Sequence, residues 1–167
     1  MIRSGDRKVA RALLVSENHQ FTVADIHVLD DPIASIRRNP SMYLGPEVGP
    51  IGARLASRLA SSLIYDQALP LTISTAGKWW ILSSNVDWIG KDYLARGLFS
   101  RILPDPRGGP NGFRQEILLT AFARLLIVAD SEEIVWVKGD PAIEALPIET
   151  VQLRGSGVRS VAYLAAS

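Results

Sequence analysis

A helical repeat of leucine constrains this chain most. Leu55, Leu59 and Leu63 recur four residues apart in a stretch covering about residues 51–67, with alanines among them. This spacing predicts a helix with the leucines on one face, which must pack against another apolar surface. Residues 51–65 contain no Asp, Glu or Asn, so the helix also lacks the side chains that most often carry chemistry.

The partner surface is predicted to be a β-sheet. The sequences LTIST and WWILSS flank Ala76-Gly77, which is typical of a β-hairpin. Four more apolar runs follow later in the chain: LLIVAD, EIVWVKG, ETVQLR and VRSVAYLA. Further helices are predicted for residues 31–38, 91–103 and 113–125. This order predicts an α+β fold, a two-layer α/β sandwich in which helices cover one face of a mostly antiparallel sheet.

Composition excludes several classes of function. The chain of 167 residues has no cysteine, which excludes disulfide frameworks, thiolate metal sites and cysteine nucleophiles. Its two histidines, His19 and His27, have no third ligand nearby in sequence, so no metal centre is expected. The net charge of +1 argues against direct nucleic-acid binding, and we interpret a local group of arginines as a solvated face.

No apolar run reaches the roughly 18 to 20 residues of a membrane span. The N-terminal run VARALLV is interrupted by Arg11 and has no small-residue cleavage site, so we do not interpret it as a signal peptide. We therefore expect a cytoplasmic protein. Residues 1–27 are predicted to be an extension or arm, and residues 28–167 a single domain.

Four segments, in order, resemble the ATPase domain of the DNA gyrase B subunit and its topoisomerase relatives. The segment VLDDPIASIRRNPSMYLGP is similar to the family's opening V-L-x-G-L-E-A-V-R-x-R-P-G-M-Y-I-G. The later segments GARLASRLASSLIYDQAL, GPNGFRQEILLTAFARL and GSGVR are similar to the family's first long helix, its post-lid helix and its G-T-x-V-R sequence. The resemblance implies a divergent member of the GHKL superfamily, with its Bergerat fold.

The same resemblance implies that the catalytic residues are missing. Leu59 stands at the position of the family's general-base glutamate, and Leu63 at that of its magnesium-binding asparagine. Ser62 replaces the aspartate that precedes this asparagine. Phosphoryl transfer needs a metal to offset phosphate charge and a group to position water, and leucine supplies neither.

The implied nucleotide contacts are also altered. Ser84 stands at the family's adenine-reading aspartate, with Asn85 or Asp87 as stand-ins if the register differs, and Ser156 keeps the hydroxyl of a family threonine. In the phosphate loop Gly108, Gly109 and Gly112 remain, whereas the last family glycine is Arg114. An anion held by Gly112, neighbouring N–H groups and Arg114 is one interpretation; a glycine-rich turn before a helix is the other. The shortened lid also argues against closure over a triphosphate.

Remaining polar and aromatic residues receive structural interpretations. Because Trp79 and Trp80 are adjacent in a predicted strand, we expect one of them to face outward. A binding surface formed by the tryptophans is one interpretation; packing in the core or on the sheet is the one we favour. We interpret Asp66 and Gln67 as a solvated helix end. Glu116 is a conceivable substitute acid, but nothing in the sequence brings it to a nucleotide.

Three hypotheses follow. The first is a catalytically inactive ATPase-like domain that serves as an interaction or regulatory module, with no cofactor, whose partner is another protein or a second copy. The second is a nucleotide-binding protein without hydrolysis, which would take ATP or ADP without magnesium. The third is an active enzyme with relocated residues.

Overall fold

The computed structural model describes residues 30–108, 112–142, 145–146 and 159–166. Within these ranges five strands form one antiparallel sheet in the order β1-β2-β5-β3-β4. The strands are β1 (Leu71–Ala76), β2 (Trp79–Ser84), β3 (Ala123–Ala129), β4 (Ile134–Lys138) and β5 (Arg159–Ala165). The predicted α+β class with an antiparallel sheet is confirmed, and so is the hairpin at Gly77. The predicted extension over residues 1–27 and the predicted strand ETVQLR lie outside the described residues.

From residue 30 onward, three helices precede the sheet: α1 (Pro32–Arg38), α2 (Pro40–Leu44) and α3 (Ile51–Tyr65). Asp31 caps α1 by accepting a hydrogen bond from the Ala34 N–H at 2.8 Å, and Pro32 occupies a first-turn position. The leucine repeat thus forms the predicted long helix.

The later helices are shorter than predicted. The helix α4 (Tyr93–Arg96) stops at Gly97, whose φ of 70° is left-handed. The helix α5 (Ile117–Phe122) passes directly into β3, because Ala123 already pairs with Ala165 of β5. Strand pairing overrides helical periodicity here. The prediction of one helix through residue 125 was therefore wrong at its C-terminal end.

Two cations hold this helix-to-strand junction. Arg37 donates a hydrogen bond to the Ala121 carbonyl at 2.7 Å, and Lys138 donates to the Thr120 carbonyl at 2.8 Å and to the Ala123 carbonyl. The Thr120 and Ala121 carbonyls lie in the last turn of α5, where backbone acceptors have no partner within the helix. Positive charge at this end also opposes the negative pole of the helix dipole.

Both faces of the sheet carry buried side chains. The helices cover one face, where Leu82, Val161 and Tyr163 pack with the leucines of α3. On the opposite face Trp79 packs with Ile81, Ile127, Ala162, Leu164 and Trp136, and the rings of Trp79 and Trp136 meet edge to face at 6.3 Å. Trp79 is only 4% exposed and Trp80 packs against the other core. The expectation that one of the two faces outward was wrong, because both faces are covered.

A close approach near its start fixes α3 on the sheet. Gly52 lies against the Trp80 indole, and a Cβ at this position would overlap the ring. Its carbonyl accepts a hydrogen bond from the Tyr163 hydroxyl at 2.7 Å. Tyr163 is fully buried, and this burial raises the pKa of its hydroxyl. Helix and sheet are therefore joined at one point by both shape and a hydrogen bond.

We predict that Gly52→Ala lowers the free energy of unfolding by about 1 to 3 kcal/mol, because the added methyl group pushes α3 off the indole. Urea unfolding followed by tryptophan fluorescence measures the change. Gly108→Ala is the matched control, since a Cβ there meets nothing within 4 Å. Equal stability of the two variants would contradict the proposed close packing.

Candidate functional site

The two positions that the resemblance assigns to catalysis lie inside the core. Leu59 and Leu63 are each 1% exposed and belong to the cluster between α3 and the sheet. Ser62 is half-buried on the neighbouring side of the helix. It lines a pocket of about 210 Å³ together with Arg58, Ser61, Tyr65, Asp105, Gly108 and Gln115. Solvent therefore reaches α3 beside the two leucines, but not at them.

Ser84 ends β2 and is 2% exposed. Its hydroxyl donates a hydrogen bond to the Ala68 carbonyl and accepts one from the Val86 N–H, both at 3.1 Å. The hydroxyl thereby ties the chain before β1 to the end of β2. The hydroxyl thus uses its only donor and one of its two acceptor positions within the protein. Burial keeps the other acceptor position away from a nucleotide base.

Beyond Ser84 lies a polar cleft of about 210 Å³. Its rim includes Asn85, which is exposed, and its base includes Arg159, which is 7% exposed. The Arg159 guanidinium pairs with Asp87 at 3.3 Å and with Asp130 at 3.2 Å. Hydrogen bonds from the backbone N–H groups of residues 132 and 133 hold the pKa of Asp130 below its ordinary value, against the smaller opposing effect of burial. The charge of Arg159 is thus neutralised by carboxylates of the same chain.

The glycine-rich loop is closed by backbone hydrogen bonds. The Asp105 N–H donates to the Gly112 carbonyl and the Arg114 N–H to the Leu103 carbonyl, both at 2.8 Å. A Cβ at Gly112 would collide with the Asp105 carbonyl and with the backbone of Gly108. This close approach accounts for glycine at position 112 and agrees with the interpretation of the segment as a turn. Gly109 and Ser156 lie outside the described residues.

Arg114 and Glu116 form a buried ion pair. The Arg114 guanidinium donates to both oxygens of the Glu116 carboxylate and to the Trp88 carbonyl, the latter at 2.9 Å. Burial lowers the pKa of Arg114, but the Glu116 carboxylate more than offsets this, so Arg114 stays charged. Glu116 is 2% exposed. Each of the two is therefore the partner of the other, which leaves neither free to hold an anion or to act as an acid.

Further ion pairs connect the loop to the end of α3. Arg107 lies 2.6 Å from Asp66 and 3.0 Å from Asp105, and Arg114 lies 3.9 Å from Asp66. The Asp66 carboxylate is only 7% exposed. The interpretation of a solvated helix end holds for Gln67, which is exposed. It was wrong for Asp66, because the loop folds back over its carboxylate.

Sequence reasoning missed this ionic cluster of Asp66, Asp105, Arg107, Arg114 and Glu116. The segment PDPRGG has the composition of an exposed loop, and no pattern in it indicates an ion pair with Asp66. The separation along the chain hides the pairing, which only the fold of the loop creates. Among the described residues, no group of three or more His, Cys, Asp or Glu side chains is arranged to hold a metal ion. Nor is any helix of this part of the chain long and apolar enough to cross a membrane.

Comparisons with known proteins give no match. No protein-family model matches the chain, and neither a curated protein nor a solved structure is significantly similar to it. The resemblance to the gyrase B ATPase domain therefore stays a prediction.

We predict that Asp105→Asn flattens the loss of stability at acid pH. Burial raises the pKa of Asp105, but hydrogen bonds from the side chain and backbone of Arg107 more than offset it, so the folded-state pKa is lowered. The charged carboxyl therefore stabilises the fold above its unfolded-state pKa of about 3.9, and this contribution is lost as the pH falls through the lower folded-state value.

Urea unfolding at about pH 7, 5 and 3 tests this prediction. Asp105→Asn should be less stable than the parent protein at neutral pH. Its free energy of unfolding should also fall less than that of the parent between the two lower pH values. Asp92→Asn is the control, since its pair with Arg96 is exposed and should contribute little. A parallel pH profile for Asp105→Asn and the parent would refute the role given to Asp105.

Proposed function

We propose that this chain is a catalytically inactive relative of the gyrase B ATPase domain, acting in the cytoplasm as an interaction or regulatory module. The observation that carries the proposal is the burial of Leu59 and Leu63 in the core. The resemblance assigns these positions to the general base and the metal ligand. Their side chains can neither coordinate magnesium nor orient water, and no phosphate reaches them without opening the core.

The polar residues near them support the same proposal. Ser84 is hydrogen-bonded on both sides, and Arg114 is paired with Glu116. Asp87 is likewise paired with Arg159. Asn85 lies exposed at the cleft rim, and the carbonyl of the tightly packed Gly112 accepts a hydrogen bond from the Asp105 N–H. A nucleotide would have to displace these interactions, which are worth about 1 to 3 kcal/mol each where a charge is involved.

Large exposed apolar side chains support a role in binding other proteins. Met42, Val48 and Tyr65 are each about three-quarters exposed, and Ile64 and Leu69 are more than half exposed. Single exposed apolar residues are ordinary, whereas neighbouring ones indicate an interaction surface. Ile64, Tyr65 and Leu69 are neighbours around the C-terminal end of α3.

Calorimetric titration with a non-hydrolysable ATP analogue, with and without magnesium, tests the proposal. We expect no heat of binding up to about 1 mM analogue, which corresponds to a binding free energy weaker than about −4 kcal/mol. Micromolar binding that does not depend on magnesium would replace the proposal with nucleotide binding without hydrolysis. Magnesium-dependent binding would contradict it outright.

A matched pair of variants tests the assignment of Leu63. We predict that Leu63→Asn, which restores the family's metal-binding residue, gives no ATP hydrolysis and lowers the free energy of unfolding by about 3 to 5 kcal/mol. The cost arises from the cavity and the unpaired amide in the core. Ser61→Asn, on the exposed side of the same helix, should change stability by less than about 0.5 kcal/mol. Magnesium-dependent ATP hydrolysis by Leu63→Asn would show that the site is intact and overturn the proposal.

A further inference from the structure

The first strand of the sheet, β1, has one neighbour in the described sheet, which is β2. Four consecutive side chains, from Thr72 to Thr75, are exposed, although strands inside this sheet are buried on both faces. An edge strand presents a row of N–H and C=O groups that can pair with another strand.

This edge carries none of the features by which proteins usually block such pairing. The strand has the sequence LTISTA, with no charged residue and no proline. Its register with β2 is continuous from Leu71 opposite Ser84 to Ala76 opposite Trp79, with no bulge. Edge strands that are not used for binding are typically protected by lysine, proline or a bulge. The strand β1 is therefore regular and neutral, and its outer edge pairs with no other strand of the described residues.

The turn decides which backbone groups face outward. Gly77 has a φ of 59° and is followed by Lys78, so the hairpin has a two-residue turn with glycine first. Such a turn is closed by a hydrogen-bonded pair, here Ala76 with Trp79, and the orientation then alternates along the strand. The N–H and C=O groups of Leu71, Ile73 and Thr75 consequently point away from β2.

Apolar side chains lie beside this edge. Ile73 is opposite Leu82, which places it on the face that bears the helices, and it is 44% exposed. The segment from Asp66 to Pro70 links α3 directly to β1, so the exposed Ile64, Tyr65 and Leu69 lie near the start of the strand. An added strand would thus find apolar surface as well as hydrogen-bonding groups.

We propose that the partner at this edge is a second copy of the chain, which adds its own β1 antiparallel to this one. The proposal rests on the interaction role proposed above. A twofold axis at Ile73 would place Ile73 opposite itself and Leu71 opposite Thr75, forming about six backbone hydrogen bonds. The same register places Thr72 opposite Ser74. Every pair is neutral, so self-pairing brings no like charges together.

Single cysteines test the register without interference, because the chain has no cysteine of its own. We predict that Ile73→Cys forms a disulfide-linked dimer under mild oxidation, since paired Cα atoms about 5.5 Å apart allow the bond. Thr72→Cys should form no such disulfide, because Thr72 is opposite Ser74 of the partner copy. The Cα atoms of the two introduced cysteines then lie beyond the limit of roughly 7 Å for a disulfide. Ser57→Cys, exposed on α3, is a control for random collision. Equal crosslinking of all three variants would overturn the proposal.

Sedimentation equilibrium of the unmodified chain tests the dimer itself. We expect a monomer–dimer equilibrium at protein concentrations between about 1 and 300 μM. Ile73→Pro should shift it to monomer with little loss of thermal stability, because this residue's N–H faces outward. Ser74→Pro, whose N–H faces β2, should instead unfold the hairpin. Should Ile73→Pro fail to fold, Thr75→Lys replaces it, and loss of the dimer is again expected.

Two outcomes would refute the proposed pairing of two β1 strands. One is an unmodified chain that is monomeric at every concentration, and the other is a dimer that persists in the variants with edge substitutions. The nucleotide titration is read separately. A monomer that binds no nucleotide would contradict the proposed dimer but not the proposed inactive module. A dimer that binds magnesium and the ATP analogue would contradict the inactive module but not the dimer.

Discussion

The packing of α3 on the sheet is the constraint on which the rest of the described structure depends. Gly52 lets the helix approach the Trp80 ring, and the Tyr163 hydroxyl fixes the helix at that point. From there the repeat of Leu55, Leu59 and Leu63 extends the contact along the helix. Because close-packed interiors tolerate little change in volume, the residues that build this contact are not available for other work.

Polar groups around this core also hold elements of the fold in place. Arg37 and Lys138 end α5 by binding its last carbonyls, and this allows a helix to become a strand without an intervening loop. Burial lowers the pKa of Lys138, with a smaller effect from the nearby Arg37. The ionic cluster from Asp66 to Glu116 fastens the glycine-rich loop to α3 and α5. Buried charges are costly unless paired, and here each has its partner within the chain.

These arrangements together explain why we assign the function to a surface and not to a pocket. Ser84, Arg114 and Glu116 use their polar side-chain atoms within the fold, whereas β1 leaves regular backbone groups and an isoleucine at the edge of the sheet. Under the proposed function, the fold serves this edge and not a nucleotide site. On this view the apolar residues at the end of α3 and the neutral strand next to them form a single surface.

The sequence by itself determined the elements whose signals are local: the leucine repeat predicted α3, and Gly77 between two β-branched runs predicted the first hairpin. It also determined that Leu59 and Leu63 cannot bind metal, since this follows from residue type alone. Only the tertiary structure decided where α5 ends, because pairing of Ala123 with β5 outweighs a helical pattern. It likewise decided that the Asp66 carboxylate lies under the loop and that both Trp79 and Trp80 are covered. Those outcomes depend on residues far apart in the chain, which no local pattern connects.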